Sequence, residues 1–291
     1  HALQNICFQI EEGELVGYIG PNGAGKSTTV KIMSGILTPD SGTCRILNRI
    51  PWKERLAHVS QIGVVFSQRS QLWWDLPVSD TFHLLKNIYN IKETEYKKRL
   101  NELADMLGIS DLLKTPVRQL SLGQRMRCEI VAALLHSPTI LFLDEPTIGL
   151  DAVSKLAMRE FLKKENREKG TTIILTTHDM DDIEALCNRV MVIGHGRLLF
   201  DGEIQQLKKQ FAPLCRIKAF LSEKIAPLPI DGAGKIEING NEWTVYYDSS
   251  KIATYAMIER IANKLPLKDV SVDEGNIDEI IAVMYKEMCL V

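Results

Sequence analysis

The stretch Gly20-Pro21-Asn22-Gly23-Ala24-Gly25-Lys26-Ser27 fits the spacing G-x-x-x-x-G-K-[ST]. Glycines at Gly20, Gly23 and Gly25 let the backbone curl, Asn22 within the curl, until several N–H groups point at one phosphate chain. The helix that follows adds the partial positive charge of its N-terminus. Lys26 can reach β- and γ-phosphates, and the Ser27 hydroxyl can ligate Mg²⁺. Thr28 caps the helix or touches the α-phosphate. A second signal is the apolar run Ile140-Leu141-Phe142-Leu143, which ends in Asp144-Glu145. Two carboxylates at the tip of a buried strand suit two tasks: Asp144 holds Mg²⁺ through water, and Glu145 is a general base for an attacking water.

Positioning these groups requires strands that end at one edge and helices that start there. Val16 to Ile19 reads as an apolar strand, Thr28 to Ser34 as a helix ending at Gly35, and Ile62 to Phe66 as a buried strand. Residues 71–136 read as mostly helical, with apolar residues at helical spacing over Thr81 to Tyr89 and Glu95 to Leu107. Strands return at Ile140 to Leu143 and Thr172 to Leu175, with a helix around Ser154 to Lys164 between them. Val190 to Ile193 and Leu198 to Phe200 flank Gly194-His195-Gly196 as a hairpin. Strands alternating with helices imply an α/β fold with a mainly parallel sheet. From Pro213 the pattern changes to three short strands, an amphipathic helix over Ile252 to Leu265, a strand at Val270 to Val272 and a last helix over Ile277 to Glu287. The expected domains are therefore 1–212 and a small α+β domain, 213–291, without a chemical motif.

A length of 291 residues suits one large and one small domain. With 45% hydrophobic and 25% charged residues and a formal net charge of −2, nothing favours a polyanionic partner, and no nucleic acid is expected. The basic cluster from Lys163 to Lys169 is interrupted by Glu165 and Glu168 and reads as a solvated helix end. Six scattered cysteines with no C-x-x-C spacing suit reduced thiols. The longest apolar run, Ile130 to Leu143, is broken by His136-Ser137-Pro138 and is too short to span a bilayer. The chain opens on His1, already close to a strand, so a few preceding residues are expected.

Leu120-Ser121-Leu122-Gly123-Gln124 resembles the signature motif of the ATP-binding cassette family. The order of phosphate loop, Gln68 after a strand, signature, acidic strand, Gly149-Leu150-Asp151 and His178 after a strand matches that family over about residues 3–210. The resemblance implies a P-loop NTPase cassette: a mainly parallel sheet with an antiparallel β part and a helical subdomain at about 71–136. It implies an ATPase that uses ATP and Mg²⁺, and two cassettes paired head to tail. Ser121 and the Gly123 N–H, with Gln124 beside them in the signature, would face the γ-phosphate of the partner's ATP. Gln68 would sense Mg²⁺ and the attacking water, and Asp151 would contact the opposite subunit. His178 would hydrogen-bond the γ-phosphate and hold Glu145 in line; alone, such a histidine reads as a cap or core residue. Leu122 departs from the family, where Gly is usual, which puts the hydrolysis rate rather than ATP binding in question. The family's adenine-stacking aromatic lies upstream of this chain's start. Phe8 alternates with Ile6 and Ile10 as a core strand residue would.

The resemblance further implies a peripheral subunit on the cytoplasmic face of the cell membrane, energising permease subunits on separate chains. In the family a permease helix docks near the glutamine loop, here Gln68 to Asp80. Trp73 and Trp74 either line that groove or fill the subdomain's own core. Phe82 to Ile91 is similar to bacterial ABC-2 type exporters, which inclines the reading to export. The last domain is regulatory, dimer-stabilising or a passive appendage. Rival readings are a translation-associated cassette, which generally has two cassettes in one chain, a DNA-repair ATPase, which needs long coiled coils absent here, and a membrane signalling cassette that moves no substrate.

Overall fold

The computed structural model describes residues 2–67, 69–211, 215–248, 251–273 and 277–287. The chain divides into two units, His1–Ile204 and Gln205–Val291, so the division falls earlier than the expected boundary at residue 212.

In the first unit, β1 (Leu15–Ile19), β2 (Ile62–Val65), β3 (Ile140–Asp144), β4 (Thr172–Thr176), β5 (Arg189–Gly194) and β6 (Arg197–Glu203) form one sheet in the order β2-β3-β4-β1-β5-β6. All pairings are parallel except β5 with β6. That antiparallel edge is a tight hairpin: His195 and Gly196 both take positive φ, 46° and 75°, the pair of values that matches strand twist. β3 and β4 are almost continuous apolar runs because helices cover both faces of a parallel sheet. Val16, Tyr18, Val30, Phe142, Ile174 and Met191 meet in one buried cluster. Each large apolar side chain removed from water there contributes about 1.5–3 kcal/mol. Ile6, Phe8 and Ile10 pack on the same cluster in the expected alternation, and the Phe8 ring lies 6.1 Å from that of Tyr18. Residues 2–14 nevertheless form no strand, since Asn5 and Gly13 take φ of 51° and 79° and break the extended run.

The helices are α1 (Lys26–Met33), α2 (Arg55–Val59), α3 (Val78–Ile88), α4 (Glu93–Leu107), α5 (Leu122–Leu134), α6 (Ala152–Lys169) and α7 (Met180–Leu186). α1 starts earlier than its apolar pattern suggests, directly after Gly25. α6 is longer than expected at both ends: Asp151 caps its start, and Gly170, at φ 70°, stops it. Its C-terminal half is not a solvated end throughout. Glu165 is 3% exposed and pairs with the Arg99 guanidinium of α4. The Glu165 position lies on the core-facing stripe of α6 with Met158, Phe161 and Leu162, so a lone basic run misrepresents that face.

In the second unit, α8 (Ile204–Phe211) reaches back one residue across the division, and β7 (Cys215–Leu221), β8 (Ala233–Asn239), β9 (Glu242–Tyr247) and β10 (Leu267–Asp273) form a sheet in the order β10-β7-β9-β8, antiparallel throughout. Gly240, at φ 64°, turns β8 into β9. Ile217, Trp243 and Val245 pack under Met257 and Ile261 of α9 (Thr254–Lys264). α10 (Ile277–Glu287) completes the described residues. Among these no helix is long and apolar enough to cross a membrane. Cys7, Cys44, Cys128, Cys187 and Cys215 are unpaired; Cys289 lies outside the described residues.

Candidate functional site

The Gly20–Ser27 loop leaves β1 at the edge where β3 and β4 also end. Gly20 can be nothing larger, because a Cβ there would sit 2.3 Å from the Ile193 carbonyl. Gly25, at φ 111°, is the N-cap of α1 and lies against Ala2 and Leu3. The loop is tied down by Ala24 N–H to the Pro21 carbonyl at 3.1 Å and by Gly196 N–H to the Ala24 carbonyl at 2.9 Å. Pro21, Asn22 and Gly23 face solvent, while Ser27 and Thr28 are half-buried at the first turn of α1. Below them the Tyr18 hydroxyl and Thr29 Oγ1 lie 3.1 Å apart, which anchors the turn to β1.

Lys26 is 7% exposed, and its Nζ donates to the Gly20 carbonyl at 2.6 Å and the Pro21 carbonyl at 3.1 Å. Burial pulls its pKa down, and the carboxylates of Glu145 and Asp144 oppose that pull. The two acids therefore share the field of the Lys26 ammonium. Asp144 ends β3 and accepts a hydrogen bond from the Thr176 hydroxyl at the end of β4. Glu145, one residue on, takes φ of 56° while its N–H still donates to the Thr176 carbonyl at 2.8 Å. That left-handed backbone turns its carboxylate out of the strand direction. The His178 Nε2 lies 3.0 Å from Glu145 Oε1, with the two side chains 44% and 24% exposed.

Gln68 lies outside the described residues. The signature residues sit at the start of α5 in a reciprocal cap: Gln124 N–H donates to Ser121 Oγ at 3.2 Å, and Ser121 N–H donates to Gln124 Oε1 at 2.9 Å. The Gln124 side chain is thus occupied in capping, and the Ser121 hydroxyl oxygen serves as an acceptor within the cap. Gly123 is pressed against Gly149 and Leu150, where a Cβ would meet the Leu150 side chain at 2.9 Å and the Gly149 carbonyl at 3.0 Å. Leu122, the departure from the family pattern, lies over Gly149. Asp151 accepts from Ser154 N–H at 2.8 Å and from the Ser154 hydroxyl at 3.1 Å. These bonds hold its carboxyl below the usual range. The signature therefore packs against the Gly149–Asp151 loop of its own chain.

Trp73 and Trp74 are exposed at 55% and 53%, which removes the alternative that they fill the subdomain's core; Leu72 does that, at 4%. Arg125 of α5 lies over the Trp74 ring, 5.8 Å from its centroid. The segment is fastened to the chain leading into α5 by Val117 N–H to the Leu76 carbonyl at 3.1 Å and Arg118 N–H to the Trp74 carbonyl at 3.0 Å. Glu129 of α5, 4% exposed, accepts from the Ser70 hydroxyl and, at 3.2 Å, from Gln71 N–H. Burial pushes its carboxyl pKa up against those donors.

Sequence reasoning missed Thr176 on Asp144 and a buried carboxylate, Asp182, close to His178. A lone Thr at a strand end or an Asp in a helix carries no pattern of its own.

The family described as ABC transporter matches residues 3–148. Linearmycin resistance ATP-binding protein LnrL of Bacillus subtilis (strain 168) is 29% identical over 96% of this chain and 91% of its own. Methionine import ATP-binding protein MetN of Latilactobacillus sakei subsp. sakei (strain 23K) is 29% identical over 96% of this chain and 83% of its own. A solved dimer of the ATP-binding cassette MJ0796 in a post-hydrolysis state, bound to ADP and Pi, superposes with a TM-score of 0.64 at 30% identity, over 70% of this chain and 90% of that one.

Proposed function

Because the chain belongs to the ABC transporter family, whose ATP-binding and ATP-hydrolysing subunit it is, we propose that it drives export by closing on ATP against a second cassette. The closing motion passes to a membrane permease on separate chains, with this subunit held peripherally on the cytoplasmic face. The observation that carries the reading is the contact of His178 with Glu145, whose carboxylate also acts on the Lys26 ammonium of the phosphate loop.

Lys26 exchanges its two carbonyl partners for β- and γ-phosphate oxygens, and the N–H groups of Gly20–Thr28 hold the rest of the chain. Glu145 takes the proton of a water as that water bonds to the γ-phosphorus and the bond to the β–γ bridging oxygen breaks. Nε2–H of His178 donates to Glu145 and keeps the carboxylate aimed. Ser27 and Asp144 would hold Mg²⁺: one hydroxyl and one carboxylate oriented by the Thr176 hydroxyl suit a hard ion that keeps waters and phosphate oxygens. The family resemblance would add Gln68, outside the described residues, to that set. When bound, the ion neutralises charge on the β- and γ-oxygens.

Ser121 and the Gly123 N–H serve the second cassette's ATP, and Asp151 meets that cassette beside them. The dimeric relative bound to ADP and Pi supports this pairing. So does the exposed apolar set Leu122, Ile148, Val153 and Leu156, which flanks the signature and Asp151. Trp73 and Trp74 receive the permease helix, and the backbone bonds from Leu76 and Trp74 to Val117 and Arg118 pass its movement to the signature. The export reading is supported by the resistance protein, which aligns over 91% of its own length against 83% for the import protein. The C-terminal α+β unit is an accessory domain.

Glu145→Gln tests the reading. ATP still binds, turnover falls by at least about a hundredfold, and an ATP-bound dimer accumulates on size exclusion. Adding Ser121→Arg to that variant abolishes the dimer. Wild-type turnover in Glu145→Gln removes the general base, and a dimer that survives Ser121→Arg removes the paired arrangement.

A further inference from the structure

Thr147 and Asp182 lie 35 positions apart, yet the Thr147 hydroxyl donates to Asp182 Oδ2 in a buried contact. Asp182 is fully buried and Thr147 is 3% exposed. Asp182 belongs to the first turn of α7, directly beyond His178 and Asp179. Thr147 is two residues beyond Glu145. A buried carboxylate is tolerated only when charge and hydrogen bonds compensate it. Here Arg159 of α6 supplies the charge, with its Nε and a terminal nitrogen each 2.6 Å from Asp182 Oδ1. The neighbouring Asp179 is held from the same helix, by Lys155 and, at 3.8 Å, by Arg159. Burial tends to raise the Asp179 carboxyl, but Lys155 and Arg159 hold it below the usual carboxylate range.

Three segments thus converge: the loop after Glu145, the start of α7 after His178, and α6, which Asp151 caps. Glu145 and His178 themselves are loop residues with partly exposed side chains. Glu145 stands on a backbone that its own local sequence does not favour. We infer that Thr147, Asp182 and Arg159 form a positioning brace that sets His178 against Glu145, so that turnover depends on the brace and ATP affinity does not. The proposal rests on Glu145 as the general base and His178 as its partner.

Thr147→Val keeps the side-chain shape and deletes the donor; Thr147→Ser restores it. With purified full-length protein, kcat and KM for ATP are measured with Tm for each, and Glu145→Gln runs in parallel. Thr147→Val lowers kcat about tenfold while KM stays within about twofold, and Thr147→Ser recovers to within about threefold of wild type. If Thr147→Val does not fold, Arg159→Lys, which keeps the charge but loses the fork, is read for the same split. Three results overturn the brace: unchanged kcat, a loss carried by KM, or a Thr147→Ser variant as slow as Thr147→Val. If Glu145→Gln turns over normally, the base assignment fails and the brace with it. If Glu145→Gln is inactive while Thr147→Val matches wild type, only the brace fails.

Discussion

Glu145 and Gly149 share one loop and solve the left-handed backbone in opposite ways. Glu145 accepts φ of 56° with a full side chain, at a cost of about 1–3 kcal/mol that the surrounding contacts must offset. Gly149, at φ 72°, has no side chain, and the Leu122 side chain uses the space: a Cβ there would lie 2.5 Å from Leu122 Cδ2. Leu122 therefore fills the space that a side chain on Gly149 would need. Gly149→Ala should destabilise the protein by about 2–3 kcal/mol, from the conformational penalty and the overlap together. In a Leu122→Ala background part of that loss should vanish, with a coupling of about 1 kcal/mol in urea unfolding. Additive losses would show that the two side chains do not meet. At this scale the sequence was legible where chemistry imposes a spacing, as in Gly20–Ser27 and Asp144-Glu145. It was silent where contact is made across the fold, as between Thr147 and Asp182 or Leu122 and Gly149, because no local pattern records a long-range neighbour.

Apart from residues 2–14, whose strand-like alternation is broken at Asn5 and Gly13, elements are legible in kind and less so at their ends, which capping sets. Apolar periodicity locates α3, α4 and β3, but Asp151 and Gly170 set the limits of α6 through bonds and backbone angles that periodicity does not encode. The attachment of the helical region to the sheet was hidden for a similar reason. Arg99 of α4 crosses to Glu165 of α6, and the Tyr89 ring beyond α3 stacks on His136, beyond α5, at 3.9 Å. Nε2 of His136 donates to the Ile62 carbonyl of β2 at 3.0 Å, and burial pulls its pKa down to about 4. In the unfolded chain the same imidazole titrates near ~6.5. Between these values unfolding takes up a proton that the folded state refuses, so the contribution of His136 to stability is complete above about 6.5 and declines as pH falls toward 4. The slope from this one residue is at most about 1.4 kcal/mol per pH unit. His136→Gln should flatten the fall in urea midpoint over that window relative to wild type. An unchanged slope would mean that His136 already carries its proton in the fold.

At the scale of the whole molecule, two exposed apolar sets on the first unit lie in different parts of the chain. Leu122, Ile148, Val153 and Leu156 accompany the signature and the loop before α6; Trp73, Trp74, Leu76 and Ile88 accompany α3 and the segment before it. One surface cannot serve two partners at once, and a subunit that pairs with a second cassette while gripping a permease needs both. A paired indole surface beside Arg125 has the character of an interface centre, where a few aromatic residues carry most of the binding. Charging it should therefore separate the two assemblies. With Trp73→Glu/Trp74→Glu, a multi-span permease recovered with the wild-type chain from detergent-solubilised membranes should drop by about tenfold or more. In the same variant carrying Glu145→Gln, the ATP-bound dimer should form as before, because the proposed dimer contact runs through Ser121 and Asp151, not through the indoles. If the permease is retained, Trp73 and Trp74 are not where it docks. If dimer and permease are lost together, the two surfaces act as one, and the path from Trp74 through Arg118 to the signature helix does more than transmit: it holds the signature in shape.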